Sequence, residues 1–365
     1  MRVSAALPTG VAALLFESAR RRREAEERLV ERFRGAGYAE VILPILDYLE
    51  PYEALLTPAT RGELYRFVDR DGELLALRSD FTPMLARLLA PRLDSLSLPL
   101  RLFYRGDVIR YQEEKAGRAR EFYQLGGELV GIAGEEAERE ILRLFLEMAT
   151  ATGGGLQVVL GFAGALDQRL LAAATEDPVR LAAAVARRER GAVRQACNTL
   201  LAVVENGLPD QPEDLGPEAA GRLRGLLALR DELAADFPGA LLSVDLAEFA
   251  RNSLDPRLEV VEGERPYYDG LVFHAYAGPA ALPVGGGGRY DRLFRALGAE
   301  VPAMGFSLSL ERLLEAAVED RGGIPAEASA TPAVNRPPSP VRERGTGGEA
   351  SKGRPPEEAQ PEARP

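Results

Sequence analysis

The stretch LRLFYRGDVIRYQEEKAGRAREFYQLGGELVG (residues 100–131) contains two segments rich in the apolar, aromatic and alternating side chains of β-strands. The first segment covers residues 100–111 and the second covers residues 120–131. The charged loop QEEKAGRA joins them, and strands that follow one another in this way commonly pair antiparallel. The stretch therefore predicts two neighbouring strands of an antiparallel sheet.

Side chains alternate between the two faces of a strand, so Gln124, Gly126 and Glu128 share one face of the second predicted strand. An amide, a missing side chain and a carboxylate on one face leave room for a small polar ligand. The same pattern also fits a strand whose outer face is in water. Alternation alone leaves both interpretations open.

Helices and further strands are predicted on both sides of this pair. Helical spacing of apolar residues predicts helices over 11–34, with Leu15 among the inward residues, and over 134–149. Strands are expected over 38–44, in a hairpin over 63–78, and at LLSVDL, LVFHAY and GFSLSL. In the second helix the inward residues are Ala137, Ile141, Leu144, Phe145 and Met148.

The amino-acid composition of the chain changes twice towards the C-terminus. Residues from about 162 to 238 are rich in Ala, Leu, Arg and Glu at helical spacing, which predicts a helical insertion. Residues 321–365 are rich in Pro, Gly and Glu and have few large apolar groups, so we expect a disordered tail. The predicted fold is α+β: an antiparallel mixed sheet flanked by helices, within residues 1–320 and carrying that insertion.

Composition excludes several classes of function. The net charge of −11 argues against a protein that wraps nucleic acid. His274 is the only histidine and Cys197 the only cysteine, so we expect no metal site, no disulfide and no cofactor. No long apolar run and no signal peptide are apparent, and we expect a cytoplasmic protein without membrane contact.

Several other residues are candidates for a binding site. The glycine run 285–288 is a weak phosphate signal, and its pattern favours a close backbone approach to a ligand, or a bulge. Tyr267 and Tyr268 could line a pocket or simply pack. Arg110 and Arg312 lie near strand ends, where they could bind an anion or remain ordinary surface arginines.

Taken together, the order of these motifs resembles histidyl-tRNA synthetase over about residues 8–320, which implies a class II aminoacyl-tRNA synthetase-like fold. GYAEVILPILDY (37–48) is similar to the first class II motif, through which such proteins dimerise, and the second motif lies within 109–131. The other motifs are LALRSDFTP (75–83), PYYDGLVFHAY (266–276), GGGGRYDRL (285–293) and GFSLSLERLL (305–314).

The resemblance implies a histidine-binding pocket. A carboxylate and an amide accept from an ammonium group, and a carboxylate with a tyrosine hydroxyl suits an imidazole. Arg312 would be a residual nucleotide contact. The histidine-binding positions carried over are Asp80, Thr82, Arg110, Gln124, Glu128, Tyr267, Tyr268 and Tyr290.

Departures from the synthetase pattern imply that no residue is catalytic. Gly263 stands where the synthetase has an arginine that drives adenylate formation, and Gln112 and Glu113 replace a carboxylate and a cation beside ATP. One predicted helix and the tail follow Arg312, so an anticodon-binding domain, and with it tRNA recognition, is not expected.

A synthetase-like body with these losses resembles the regulatory subunits of ATP phosphoribosyltransferase, in the first step of histidine biosynthesis. That resemblance implies a short-form catalytic transferase subunit as partner, L-histidine as a feedback effector, and a self-dimer through the first motif. The alternative is an enzyme: a truncated histidyl-tRNA synthetase, or an adenylating ligase with another acceptor.

Overall fold

The centre of the molecule is an eight-stranded sheet, seen here in a computed structural model. All described residues lie within one compact unit. The second-motif loop, Gly263, Tyr267 and the tail, for which the sequence made predictions, lie outside the described residues. The structure describes residues 6–56, 58–111, 119–153, 155–166, 171, 174–250, 268–278 and 283–320.

The large sheet has the strand order β1-β5-β6-β11-β10-β9-β7-β8, and a small sheet has the order β2-β4-β3. Parallel pairs occur at the two ends of the large sheet, β1 with β5 and β7 with β8, while its other pairs are antiparallel. The predicted mixed, mostly antiparallel sheet is therefore confirmed. The strands are β1 (Ala39–Glu40), β2 (Leu46–Tyr48), β3 (Arg66–Val68), β4 (Leu74–Leu77), β5 (Leu100–Ile109), β6 (Glu121–Val130), β7 (Leu156–Phe162), β8 (Ala240–Val244), β9 (Leu271–Ala277), β10 (Gly285–Arg289) and β11 (Ala303–Ser309).

Helices flank this sheet. In chain order, four of the described helices follow β7 and precede β8, within the predicted insertion. Among the described helices, none is both long enough and apolar enough to cross a membrane. The α-helices are α1 (Phe16–Gly35), α2 (Leu49–Glu53), α3 (Pro58–Gly62), α4 (Thr82–Leu89), α5 (Gly134–Ala149), α6 (Pro178–Ala186), α7 (Arg190–Ala196), α8 (Asn198–Asn206), α9 (Pro217–Asp236), α10 (Asp291–Ala296) and α11 (Leu310–Asp320).

Aromatic side chains join α1 and α5 to one face of the large sheet. Phe33 of α1 stacks on Phe103 of β5, with ring centroids 4.8 Å apart, and Phe145 of α5 meets Phe306 of β11 edge to face at 5.4 Å. The five inward residues predicted for α5 are all buried. The prediction for Leu15 was wrong: it is extended, precedes α1, and is 60% exposed.

The glycine run forms most of strand β10, which pairs with β9 on one side and β11 on the other. A β-carbon at Gly286 would lie 2.6 Å from the carbonyl oxygen of Phe273, and one at Gly287 would overlap that of Gly305. The neighbouring strands therefore leave no space for side chains, which accounts for the glycine run, and the close approach to a ligand stays a prediction.

Candidate functional site

The polar face of β6 is buried. Gln124 is 6% exposed and Glu128 is 1% exposed, so the alternative of a face in water is wrong. Thr82, at the first turn of α4, and Tyr104 of β5 lie against this face. A β-carbon at Gly126 would overlap the Tyr104 ring, and this glycine therefore makes room for the tyrosine.

Glu128 is bound at both carboxyl oxygens. The Thr82 hydroxyl donates to Oε1 at 2.6 Å, and the Tyr290 hydroxyl donates to Oε2. On the adjacent strand, a β-carbon at Gly305 would overlap Oε2, so only glycine fits opposite this carboxyl group. Strands β6 and β11, together with the start of α4, thus fix the position of Glu128.

Burial raises the pKa of Glu128 to about 8, although the hydrogen bonds from Thr82 and Tyr290 favour the charged form. At neutral pH this carboxyl group is therefore protonated in most of the molecules. A protonated carboxyl can donate one hydrogen bond and accept others, which is the capacity that a neutral imidazole ring requires.

A small cavity lies next to Thr82 and Tyr290, the residues that hold Glu128, and we call it the Glu128 pocket; Glu128 itself is not in its lining. Asp80, Thr82, Tyr268 and Tyr290 line its sides, and glycines of β10 and β11 form part of its wall. Its volume is about 40 Å³. This is enough for a water molecule or two, so an amino acid could enter only after the surrounding side chains move.

Tyr52, which the sequence did not single out, holds the loop that carries Asp80. Its hydroxyl donates to the Asp80 carbonyl at 2.9 Å and accepts from the Asp80 amide at 2.8 Å. The Thr82 amide donates to the Asp80 carboxylate at 3.2 Å. The chain from Asp80 to the start of α4 is therefore positioned from two sides.

Arg110 and Arg312 lie beside the Glu128 pocket rather than in its lining. Both approach the ring of Phe122, with guanidinium carbons 5.3 and 5.9 Å from its centroid. Arg110 also donates to the Ser79 carbonyl at 2.7 Å and lies 3.9 Å from the Asp80 carboxylate. Phe122 was missed by sequence reasoning, because no pattern marked it as the meeting point of the two arginines.

Gln124 shares the face of Glu128 but does not line the pocket. Its buried Oε1 has no hydrogen-bond partner among the described residues, and neither does the Oγ of Ser309, its register partner on β11. These two oxygens mark a polar, buried extension of the site towards Phe122. Ser309 had no sequence signal, because its neighbourhood depends on the pairing of β6 with β11.

The single histidine lies further along the sheet. Nδ1 of His274 is 2.8 Å from Glu248 Oε1, which also accepts from the Tyr276 hydroxyl at 2.9 Å. The structure therefore gives His274 a carboxylate partner outside the Glu128 pocket. Among the described residues, no group of three or more His, Cys, Asp or Glu side chains could hold a metal ion.

Known proteins share both this fold and much of this sequence. The model of the histidyl-tRNA synthetase family matches residues 10–313. An ATP phosphoribosyltransferase regulatory subunit from Moorella thermoacetica is 35% identical, over 84% of this chain and 81% of that relative. A histidine–tRNA ligase from Thermococcus kodakarensis is 32% identical, over 84% and 72% respectively.

A solved structure has the same fold. A chain of the ATP phosphoribosyltransferase complex from Thermotoga maritima superimposes with a TM-score of 0.59 at 22% identity, covering 79% of this chain and 97% of that chain. The family match and the fold together define a class II aminoacyl-tRNA synthetase-like protein. The chain belongs to the histidyl-tRNA synthetase family and, within it, to the ATP phosphoribosyltransferase regulatory subunits.

Proposed function

We propose that this chain is a non-catalytic regulatory subunit, required by a short-form ATP phosphoribosyltransferase catalytic subunit in the first step of histidine biosynthesis. The observation that carries the proposal is the 35% identity to a relative of that name over most of both chains. The Thermotoga maritima complex supports it, since a chain of a transferase complex has this fold.

The second candidate is a synthetase, which the histidine–tRNA ligase relative favours. Against it stand Gly263, Gln112 and Glu113 in the sequence. An adenylating enzyme needs positive groups where charge develops on the α-phosphate, and the replacement of an arginine by glycine removes one.

One experiment separates the two candidates. The chain is co-expressed with a short-form catalytic subunit, and both transferase activity and histidine-dependent ATP–pyrophosphate exchange are measured. We expect the proteins to co-purify, transferase activity only when both are present, and no exchange. Exchange at the rate of a working synthetase, abolished by Arg110→Ala, would contradict the regulatory function.

We further propose that histidine is the effector and binds in the Glu128 pocket. Thr82 and Tyr290 support this, because both line the pocket and both donate hydrogen bonds to the buried Glu128 carboxyl group. The remaining proposed contacts are Asp80, Arg110, Gln124, Tyr267 and Tyr268, and Arg312 with Arg110 is proposed as a residual nucleotide contact.

We expect histidine to raise the melting temperature of the isolated chain, since a ligand that binds only the native state stabilises it. Glu128→Ala should weaken histidine binding by about ten- to a hundredfold, because a buried hydrogen-bonding partner is lost. Glu140→Ala is the matched control, since Glu140 also accepts from a tyrosine hydroxyl, that of Tyr38, but lies outside the pocket.

If histidine raised the melting temperature of Glu128→Ala as much as that of the parent chain, the histidine site would lie outside the Glu128 pocket. The same variant in the assembled transferase tests regulation separately. Loss of the melting shift with unchanged feedback inhibition would show a histidine site that is not the sensor.

A self-dimer through the first motif is also proposed. Large apolar side chains of this region are exposed, with Ile42 at 90% and Tyr48 at 57%, and Val68 of the small sheet is 64% exposed. Exposed large apolar side chains of this kind are typical of a surface that a partner covers.

A further inference from the structure

A second cavity, larger than the Glu128 pocket, lies between α5, the insertion helix α9 and the ends of β7, β9 and β10. Its volume is about 280 Å³, close to the lower end of the range of roughly 300–1,000 Å³ that small-molecule sites occupy. We call it the insertion cavity. It shares no lining residue with the Glu128 pocket, and neither the family resemblance nor the proposed function uses it.

Opposite charges line the insertion cavity in equal number. Arg222 and Arg289 carry positive charge, and Glu135 and Glu138 carry negative charge. Arg289 is 7% exposed and donates to the Gly134 carbonyl at 2.9 Å. A cavity lining with two charges of each sign favours a ligand that itself carries both.

The arginines and Glu138 are close but not tightly paired. Oε1 of Glu138 lies 3.7 Å from Arg289 Nε and 3.8 Å from Arg222 Nη2, beyond the length of a good hydrogen bond. Asp291, outside the lining, is 3.5 Å from Arg289 Nη1. Hydrogen-bonding capacity at Glu138 and the guanidinium groups therefore remains for a ligand.

Apolar side chains supply the remaining wall. Phe162 ends β7, Leu271 begins β9, and Leu226 and Leu229 come from α9.

A single anion would meet the two glutamates, and a single cation would meet the two arginines. We propose that the insertion cavity binds an aliphatic α-amino acid of about the size of leucine, with its carboxylate at the arginines and its ammonium at the glutamates.

Gly225 allows a direct test. It lines the insertion cavity from the middle of α9, where a β-carbon would lie 3.0 Å from Glu135 Oε1. Gly221 lies one turn earlier on the same helix, is exposed, and has no atom within 4 Å of an added β-carbon. Gly225→Leu therefore fills the cavity, and Gly221→Leu makes the same chemical change in open space.

The experiment is equilibrium dialysis of the full chain with L-leucine, with leucinamide, which lacks the carboxylate, and with 4-methylpentanoate, which lacks the ammonium. We expect saturable leucine binding and at least tenfold weaker binding of both analogues. Gly225→Leu should abolish leucine binding, and Gly221→Leu should preserve it.

Glu138→Gln provides a second measurement that does not depend on how Gly225→Leu folds. We expect leucine to bind about tenfold more weakly and 4-methylpentanoate to bind no more weakly, since the ammonium partner is lost. Absence of leucine binding, equal binding of leucine and its analogues, or leucine binding that persists in Gly225→Leu would each overturn the proposal. Loss of leucine binding in Glu128→Ala but not in Gly225→Leu would overturn it as well, because the site would then be the Glu128 pocket.

Discussion

At the level of single residues, the pKa of Glu128 links the pocket to the stability of the fold. The value rises from 4.5 to about 8 on folding, because burial disfavours the charged form. Between these values the native state binds the proton and the unfolded state does not. The free energy of unfolding therefore falls as pH rises through this window, by up to about 1.4 kcal/mol per pH unit.

Glu128→Gln should remove this dependence, because an amide of the same size does not titrate. Between pH 5 and pH 8 we expect the free energy of unfolding to fall about 1–4 kcal/mol less in the variant than in the parent chain. Urea denaturation at the two pH values measures this. Parallel curves for Glu128→Gln and the parent would disprove the coupling.

Sequence reasoning predicted part of the site at this scale. Alternation put Gln124 and Glu128 on one face, but it could not show that the face is buried, because Thr82 and Tyr104 come from other elements. Tyr52 and Phe122 had no signal of their own. Their roles arise from contacts that only the folded chain makes.

At the level of elements, strand β10 shows a backbone that excludes side chains. We expect Gly287→Ala to lower the free energy of unfolding by about 1–3 kcal/mol, because its β-carbon would overlap the backbone of β11. Chemical denaturation measures the change. The control is Gly239→Ala, where an added β-carbon has no atom within 4 Å and the expected change is within about 0.5 kcal/mol. Equal effects of the two substitutions would contradict this explanation of the glycine run.

Elements whose apolar residues recur at regular spacing were predicted best. Helix α5 begins and ends at the predicted residues, because its apolar stripe is regular throughout. The strand predicted over residues 38–44 is shorter, since β1 pairs with β5 at Ala39 and Glu40 and the chain then continues to the small sheet. Pairing partners decide where a strand ends, and a single segment does not contain that information.

At the level of the whole molecule, the exposed apolar side chains near the first motif predict a dimer. Ile42→Arg should convert the dimer to a monomer, because a charge would be buried in the interface without a partner. Sedimentation velocity measures the change. Leu241→Arg, at a 64% exposed position on edge strand β8, should leave the dimer intact. A parent chain that sediments as a monomer would refute the proposed self-association.

The position of β11 has a consequence for the time course of synthesis. This strand joins β6 to β10, so it completes the large sheet, yet 172 residues (131–302) separate it from β6 in the chain. At roughly 5–20 residues per second, a ribosome needs about 9–34 s to add them. During that interval the β6 edge has no β11 to pair with, and an unpaired strand edge is a template on which another chain can pair.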